Sequence, residues 1–252
     1  MDRKAATILA LAILIGMVVS AYFLSASLER FRKEDRYITV KGFSEREVKA
    51  DLAIWSLRVG VASDDLTEGS RQIESAKLKV IQFLHTNGID SSEIMQKDLQ
   101  VHDKRASEYG ATNNALTLRY VVTVTIQVRS NNVDNILRVS RMTDELLHAG
   151  VVISSTNEWQ GSGPRFIFTK LNNIKPEMLA EATRNANTAG LEFTKESNTT
   201  LGKMRKASQG LFSIADRDEM SAGQGEGGYY ASGTADLFKK VRVVISVDYS
   251  IE

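Results

Sequence analysis

Three histidines, His85, His102 and His148, are the side chains of this sequence that ordinarily titrate near neutrality. They stand apart, with no HExxH or HxH pairing, so their spacing supports neither a zinc-ligand motif nor an imidazole base beside a nucleophile. His85 and His148 fall near the ends of expected helices, where a positively polarised ring complements the helix dipole. Asp216, Asp218 and Glu219 form the densest acidic cluster and carry the oxygen ligands a hard cation prefers. A calcium loop counted from Asp216 needs glycine at its sixth place and an acid at its twelfth. Ser221 and Gly227 stand there, and the cluster reads as a solvated turn. Gly223 to Tyr230 is glycine-rich like a phosphate-binding loop, but it precedes a strand rather than a helix and lacks the Lys-Ser/Thr signature. It reads as a flexible connection.

No serine sits in a GxSxG elbow. The absence of cysteine excludes disulfides, zinc thiolates, iron–sulfur clusters and thiol nucleophiles. The sequence therefore assigns no catalytic residue, no metal ligand and no cofactor; a carboxylate pair assembled only by folding is not legible at this level. What the side chains do offer is contact. Tyr229 and Tyr230 on their glycine stem, Tyr109 beside Gly110 in a loop of similar composition, and Arg119 and Gln127 on the polar face of a strand are the candidate partner contacts. With 32 basic against 31 acidic residues the net charge is +1, which gives no nucleic-acid stripe.

These residues need elements to hold them. Residues 1–4 form a short tail with Arg3 and Lys4. Ala5 to Leu24 is twenty residues without a charge, about 30 Å as a helix, the thickness of a hydrocarbon core. It exceeds the apolar run of an ordinary signal peptide and reads as an uncleaved transmembrane signal anchor. Residues 25–36 are a charged stalk. A bare count of Arg30, Arg32, Lys33 and Arg36 against Arg3 and Lys4 would keep the C-terminal domain inside, whereas a four-residue tail before a long apolar run is the form of a signal anchor that exports it.

Residues 37–252 alternate between periods of two and about 3.6. Long strands run from Leu116 to Arg129, through Ala53–Val61, and through Val241–Ile251, each with one apolar and one polar face. That one-sidedness predicts antiparallel sheets. Three helices are expected. The first is capped at Ser63, buries Leu66, Ile73, Ala76, Val80 and Leu84, and ends at Asn87-Gly88. The second runs from Asn131 or Asn132 to Gly150 with Val133, Ile136, Leu137 and Leu147 inward. The third has Pro176 in its first turn and an inner stripe of Leu179, Ala182, Ala186, Ala189 and Phe193. The fold class is α+β: largely antiparallel sheets packed by about three helices, with a β-α-β-β-α-β portion and possible lobes at 37–150 and 151–252.

Ile38-Thr-Val-Lys-Gly42-Phe-Ser44, then Asp51 leading into a long strand, the alanine-rich Ala180 to Gly190, Leu201-Gly202-Lys203 and the terminal strand together resemble the SIMPL-domain family. Its members are exported bacterial proteins, among them periplasmic immunogenic and oxidative-stress-defence proteins, with no established enzymatic reaction. The apolar run makes the expected protein single-pass in the cytoplasmic membrane, and the resemblance, with the signal-anchor form, implies that its C-terminal domain is exported, periplasmic or extracellular. The resemblance implies no catalytic residue and a link, at most indirect, to oxidative stress. The expected function is non-enzymatic: self-assembly as a homo-oligomer, or binding of an envelope protein, with the membrane held through residues 5–24 and no nucleic acid. The alternative is an envelope hydrolase or small-ligand-binding protein, recognisable by a concave pocket with converging polar groups.

Overall fold

The structure, a computed structural model, describes residues 14–22, 36–106, 118–154, 163–217 and 235–251. Residues 14–22 are helical, with Leu14, Ile15, Met17 and Val18 exposed. They are the described part of the expected span, and among the described residues no helix is long and apolar enough to cross a membrane. The chain forms two compact units. One draws on residues 1–45, 174–213 and 242–252, the other on 46–173 and 214–241. The division therefore interleaves segments and does not fall at 150/151, because long strands from near both chain ends lend residues to both units.

The second unit is built on strands β2 (Leu52–Ser63), β3 (Ile94–Asp103), β4 (Tyr120–Ser130), β5 (Ile153–Ser154) and β6 (Arg165–Ile167). Its helices are α1 (Leu66–Thr86), α2 (Val133–Ser140) and α3 (Asp144–His148), with a 3-10 turn at Ser91–Glu93. The sheet order is β3-β4-β2-β5, every pairing antiparallel, with β6 on the other end of β2. This realises the expected β-α-β-β-α-β portion in the ferredoxin-like strand order. Trp55, Leu57 and Val59 of β2 and Val122, Val124, Ile126 and Val128 of β4 point to one side and are buried. Ile73, Val80 and Leu84 of α1, Ile136 and Val139 of α2, and Leu146 of α3 close over them. Each such side chain contributes about 1.5–3 kcal/mol on full burial.

Several sequence expectations shift here. β4 starts at Tyr120 rather than Leu116, and Leu118 lies before it, exposed. The cap of α1 is Asp65, whose carboxylate accepts the Glu68 N–H at 2.9 Å, while the Ser63 hydroxyl accepts the Asp65 N–H one step earlier. Leu66 thus falls on the first turn and is exposed, whereas Ile73, Ala76, Val80 and Leu84 are buried as expected. The single second helix is two: Asn132 caps α2 by accepting the Asn135 N–H, and a turn at residues 141–143 re-aims the chain. The re-aiming buries Leu146 and leaves Leu147 exposed. Both helix stops are as expected, Gly88 at φ 78° and Gly150 at φ 77°, a conformation that costs glycine nothing.

The first unit is a three-stranded sheet, order β1-β8-β7, from β1 (Tyr37–Lys49), β7 (Leu201–Asp216) and β8 (Phe238–Ile251), with helix α4 (Leu171–Glu196). Ile251 donates to the Arg36 carbonyl and Thr39 donates to Asp248, so β1 and β8 run antiparallel. Ser250 to Lys203 and Ser213 to Arg242 give the same for β8 and β7. The buried stripe of α4 is Met178, Ala182, Ala186, Gly190 and Thr194, a strict spacing of four. The expected stripe is displaced by one residue at three of its places: Phe193 is exposed and Leu179 and Ala189 are half-buried. The cause is close packing. A Cβ on Gly42 of β1 would lie 2.1 Å from the Ala182 carbonyl oxygen, so the helix rests its smallest side chains on the sheet. Pro176 lies inside α4, not at its start, because the helix begins five residues earlier.

Candidate functional site

Of the candidate contacts, Tyr109, Tyr229 and Tyr230 lie outside the described residues. Arg119 sits immediately before β4, across from the end of β3. Its guanidinium forks onto Asp103, Nε and Nη2 donating to the carboxylate at 3.1 and 2.8 Å, and lies 4.8 Å over the Tyr120 ring. Its backbone N–H donates to Asp64 at 3.0 Å. The Arg119 hydrogen bonds hold the Asp103 carboxyl below its ordinary value against a weaker upward push from burial, and Asp103 in turn raises Arg119. The arginine expected to reach a partner is thus a clasp joining β3 to β4.

Gln127 lies on the sheet face opposite the helices and donates to Ser56 at 3.4 Å. The antiparallel register sets Ser56 beside Gln127, Arg58 beside Thr125 and Gly60 beside Thr123, so this face is a half-buried polar surface. Arg58 reaches the Thr123 hydroxyl at 3.5 Å. The sequence placed these side chains correctly on one face, and Ala53, Trp55, Leu57 and Val59 of β2 and Val122, Val124, Ile126 and Val128 of β4 take the other.

Asp51, singled out by its place before β2, accepts the Thr169 backbone N–H at 2.6 Å and the Thr169 hydroxyl at 2.7 Å, with Lys170 at 3.9 Å. Burial pushes its carboxyl up, but the Thr169 hydrogen bonds and the Lys170 charge outweigh that and lower it. It ties the start of β2 to the chain leaving β6.

Asp216 corrects the sequence reading most. It is 6% exposed, not part of a solvated turn, and it is ion-paired to Lys239, itself 2% exposed. Its second oxygen accepts the backbone N–H groups of Ala235 and Asp236, both at 3.1 Å. Asp218 and Glu219 lie outside the described residues. The missed signal was parity: Lys239 shares the inward phase of Val241, Val243 and Ile245 on β8, and an inward lysine requires a buried acid.

The histidines do not converge. His85 closes α1, its Nδ1–H donating to the Ile89 carbonyl at 3.0 Å with Nε2 3.3 Å from the Ser91 hydroxyl. His148 is in the last turn of α3 and His102 is exposed on β3. Among the described residues no group of three or more acidic or histidine side chains is placed to hold a metal ion. A cavity of about 420 Å³ in the second unit is lined by Leu57, Val151 and Ile153 together with Ser140, Thr143 and Asp144. Asp144 is the one ionisable side chain among its described lining residues.

Two outer strands are exposed along much of their described length. β3 is exposed along Met95–His102, and β7 along Lys203–Leu211. The family model SIMPL, described as a protein of unknown function (DUF541), matches residues 38–249. No curated protein matches the chain.

Proposed function

The chain belongs to the SIMPL family, and from that premise we propose a membrane-anchored, non-enzymatic extracytoplasmic protein that acts by self-assembly or by binding an envelope partner. The observation that carries this reading is where the polar chemistry goes. Arg119 with Asp103, Asp51 with Thr169, and Asp216 with Lys239 are each committed to holding strands together. Two long edge strands, in contrast, present their residues to whatever comes. The uncharged run Ala5 to Leu24 supplies the anchor in this reading, and confinement to a membrane raises the effective concentration of copies so that weak edge contacts suffice. Any effect on oxidative-stress tolerance is indirect, since a chain without cysteine carries no thiol redox couple.

The test is localisation combined with crosslinking in intact cells. The full chain is expected in the membrane fraction, digestible by protease added from outside the cytoplasmic membrane and captured in crosslinked complexes. A chain found in the cytoplasm and strictly monomeric in detergent sinks the reading. The second reading, a small-ligand-binding protein, rests on the cavity at Ser140, Thr143 and Asp144. It predicts a ligand whose saturable binding is lost in Asp144→Asn while the fold is retained.

A further inference from the structure

Asn198-Thr199-Thr200 is the one Asn-x-Ser/Thr triplet in the sequence, with a residue other than proline at its middle place. The triplet is the acceptor pattern for transfer of sugar to an asparagine carboxamide, a pattern that gains meaning from its structural setting. Here it lies in the first unit, on the turn between α4 and β7, with Asn198 and Thr200 exposed. The turn itself is built from main-chain groups. The Asn198 N–H donates to the Lys195 carbonyl at 3.3 Å and the Thr199 N–H to the Thr194 carbonyl at 2.9 Å, the paired bonds of a Schellman stop. Neither bond uses the Asn198 side chain. Glycine fills such a place with least strain, and Gly88 and Gly150 do so after α1 and α3. Asn198, at φ 52°, is the one residue other than glycine with positive φ among the described residues. A side chain kept in a left-handed conformation that glycine adopts more easily points to a task for that side chain. Glu196, also exposed, stands two places before it and completes the acid-x-Asn-x-Thr form that bacterial oligosaccharide transfer selects.

We infer that Asn198 is an N-glycosylation site whose co-substrate is an oligosaccharide carried on a lipid diphosphate. The inference rests on the export reading above, because such transfer takes place on the outer side of the cytoplasmic membrane. In the step, the Asn198 carboxamide nitrogen bonds to the anomeric carbon of the first sugar. The bond from that carbon to the diphosphate oxygen breaks, the lipid diphosphate leaves with the electron pair, and the nitrogen gives up one proton. Thr200 supplies the hydroxyl by which a transferase recognises the acceptor, and Glu196 a charge for a cation beside it. A membrane-anchored acceptor and a lipid-carried donor share one surface, which raises the effective concentration of each for the other.

The test is mass spectrometry of the full chain purified from the membranes of its native cells. Trypsin cuts after Lys195 and Lys203, so Asn198 is read in the peptide spanning residues 196–203. Hexose or N-acetylhexosamine additions on that peptide are the expected result. Asn198→Gly removes the acceptor and suits the turn, so it is expected to abolish the addition while circular dichroism is unchanged. Thr200→Ala and Glu196→Gln leave Asn198 in place and are each expected to lower occupancy at least about tenfold. Unchanged occupancy in both overturns the proposal. A chain that external protease digests, yet whose 196–203 peptide is unmodified, overturns the proposal and leaves export standing. An unmodified chain retained in the cytoplasm overturns the proposal and the export reading together.

Discussion

At the scale of single residues, the polar groups do structural work whose loss is measurable. Lys239 and Asp216 are both removed from water, and truncating one leaves the other charged and buried. Lys239→Ala is expected to lower unfolding stability by about 3–5 kcal/mol, read from urea midpoints, whereas replacing both by apolar residues of similar volume recovers much of that. Asp51 makes a pH prediction. Its folded value lies below the ordinary 3.8, so its contribution is complete above that pH and disappears as pH falls through the lower folded value. Stability of the wild type is expected to drop more steeply between about pH 4 and pH 2 than that of Asp51→Asn, which has no carboxylate to protonate there. Equal slopes would show that the Thr169 hydrogen bonds add nothing to folding.

At the scale of elements, α4 rests directly on β1 at Gly42. A methyl group on Gly42 would meet backbone atoms of α4 at 2.1 and 2.5 Å, and a backbone cannot step aside as a flexible side chain can. Gly42→Ala is expected to cost at least about 1–3 kcal/mol by overpacking, and Ala186→Leu, on the facing turn, a similar amount. A wild-type melting temperature for either variant would mean that α4 does not rest on β1. The same packing explains why apolar periodicity misplaces part of the helix stripe. Leu179 and Phe193 are more apolar than Gly190 and Thr194, but the stripe is selected by size, and hydrophobicity alone points to the wrong flank.

For the whole molecule, two exposed edges of different character arise from one architecture. Sheets of three strands and of a β-α-β-β-α-β unit leave outer strands with unpaired backbone groups, and only charge, bulges or a partner can occupy them. β3 is defended by its bulge and charges; β7 between Ala207 and Ser213 is not. If the chain assembles through an outer strand, hydrogen exchange of the full chain in detergent is expected to show amides of β3 or β7 protected in a concentration-dependent way, and equal exchange of both at all concentrations would count against edge pairing.

The sequence alone determined the alternation that makes β2, β4 and β8 one-sided strands, the inward faces of Trp55–Val59 and Val122–Val128, the glycine stops at 88 and 150, and the β-α-β-β-α-β order. Those properties are written in local periodicity and in backbone conformations that few residue types tolerate. Only the tertiary structure decided that Arg119 clasps Asp103, that Asp216 is buried against Lys239, and that β7 rather than β3 carries the bare edge. These depend on which strands become neighbours, and pairing between residues 16 or 23 positions apart is fixed by the free energy of the whole sheet, which no window of sequence contains.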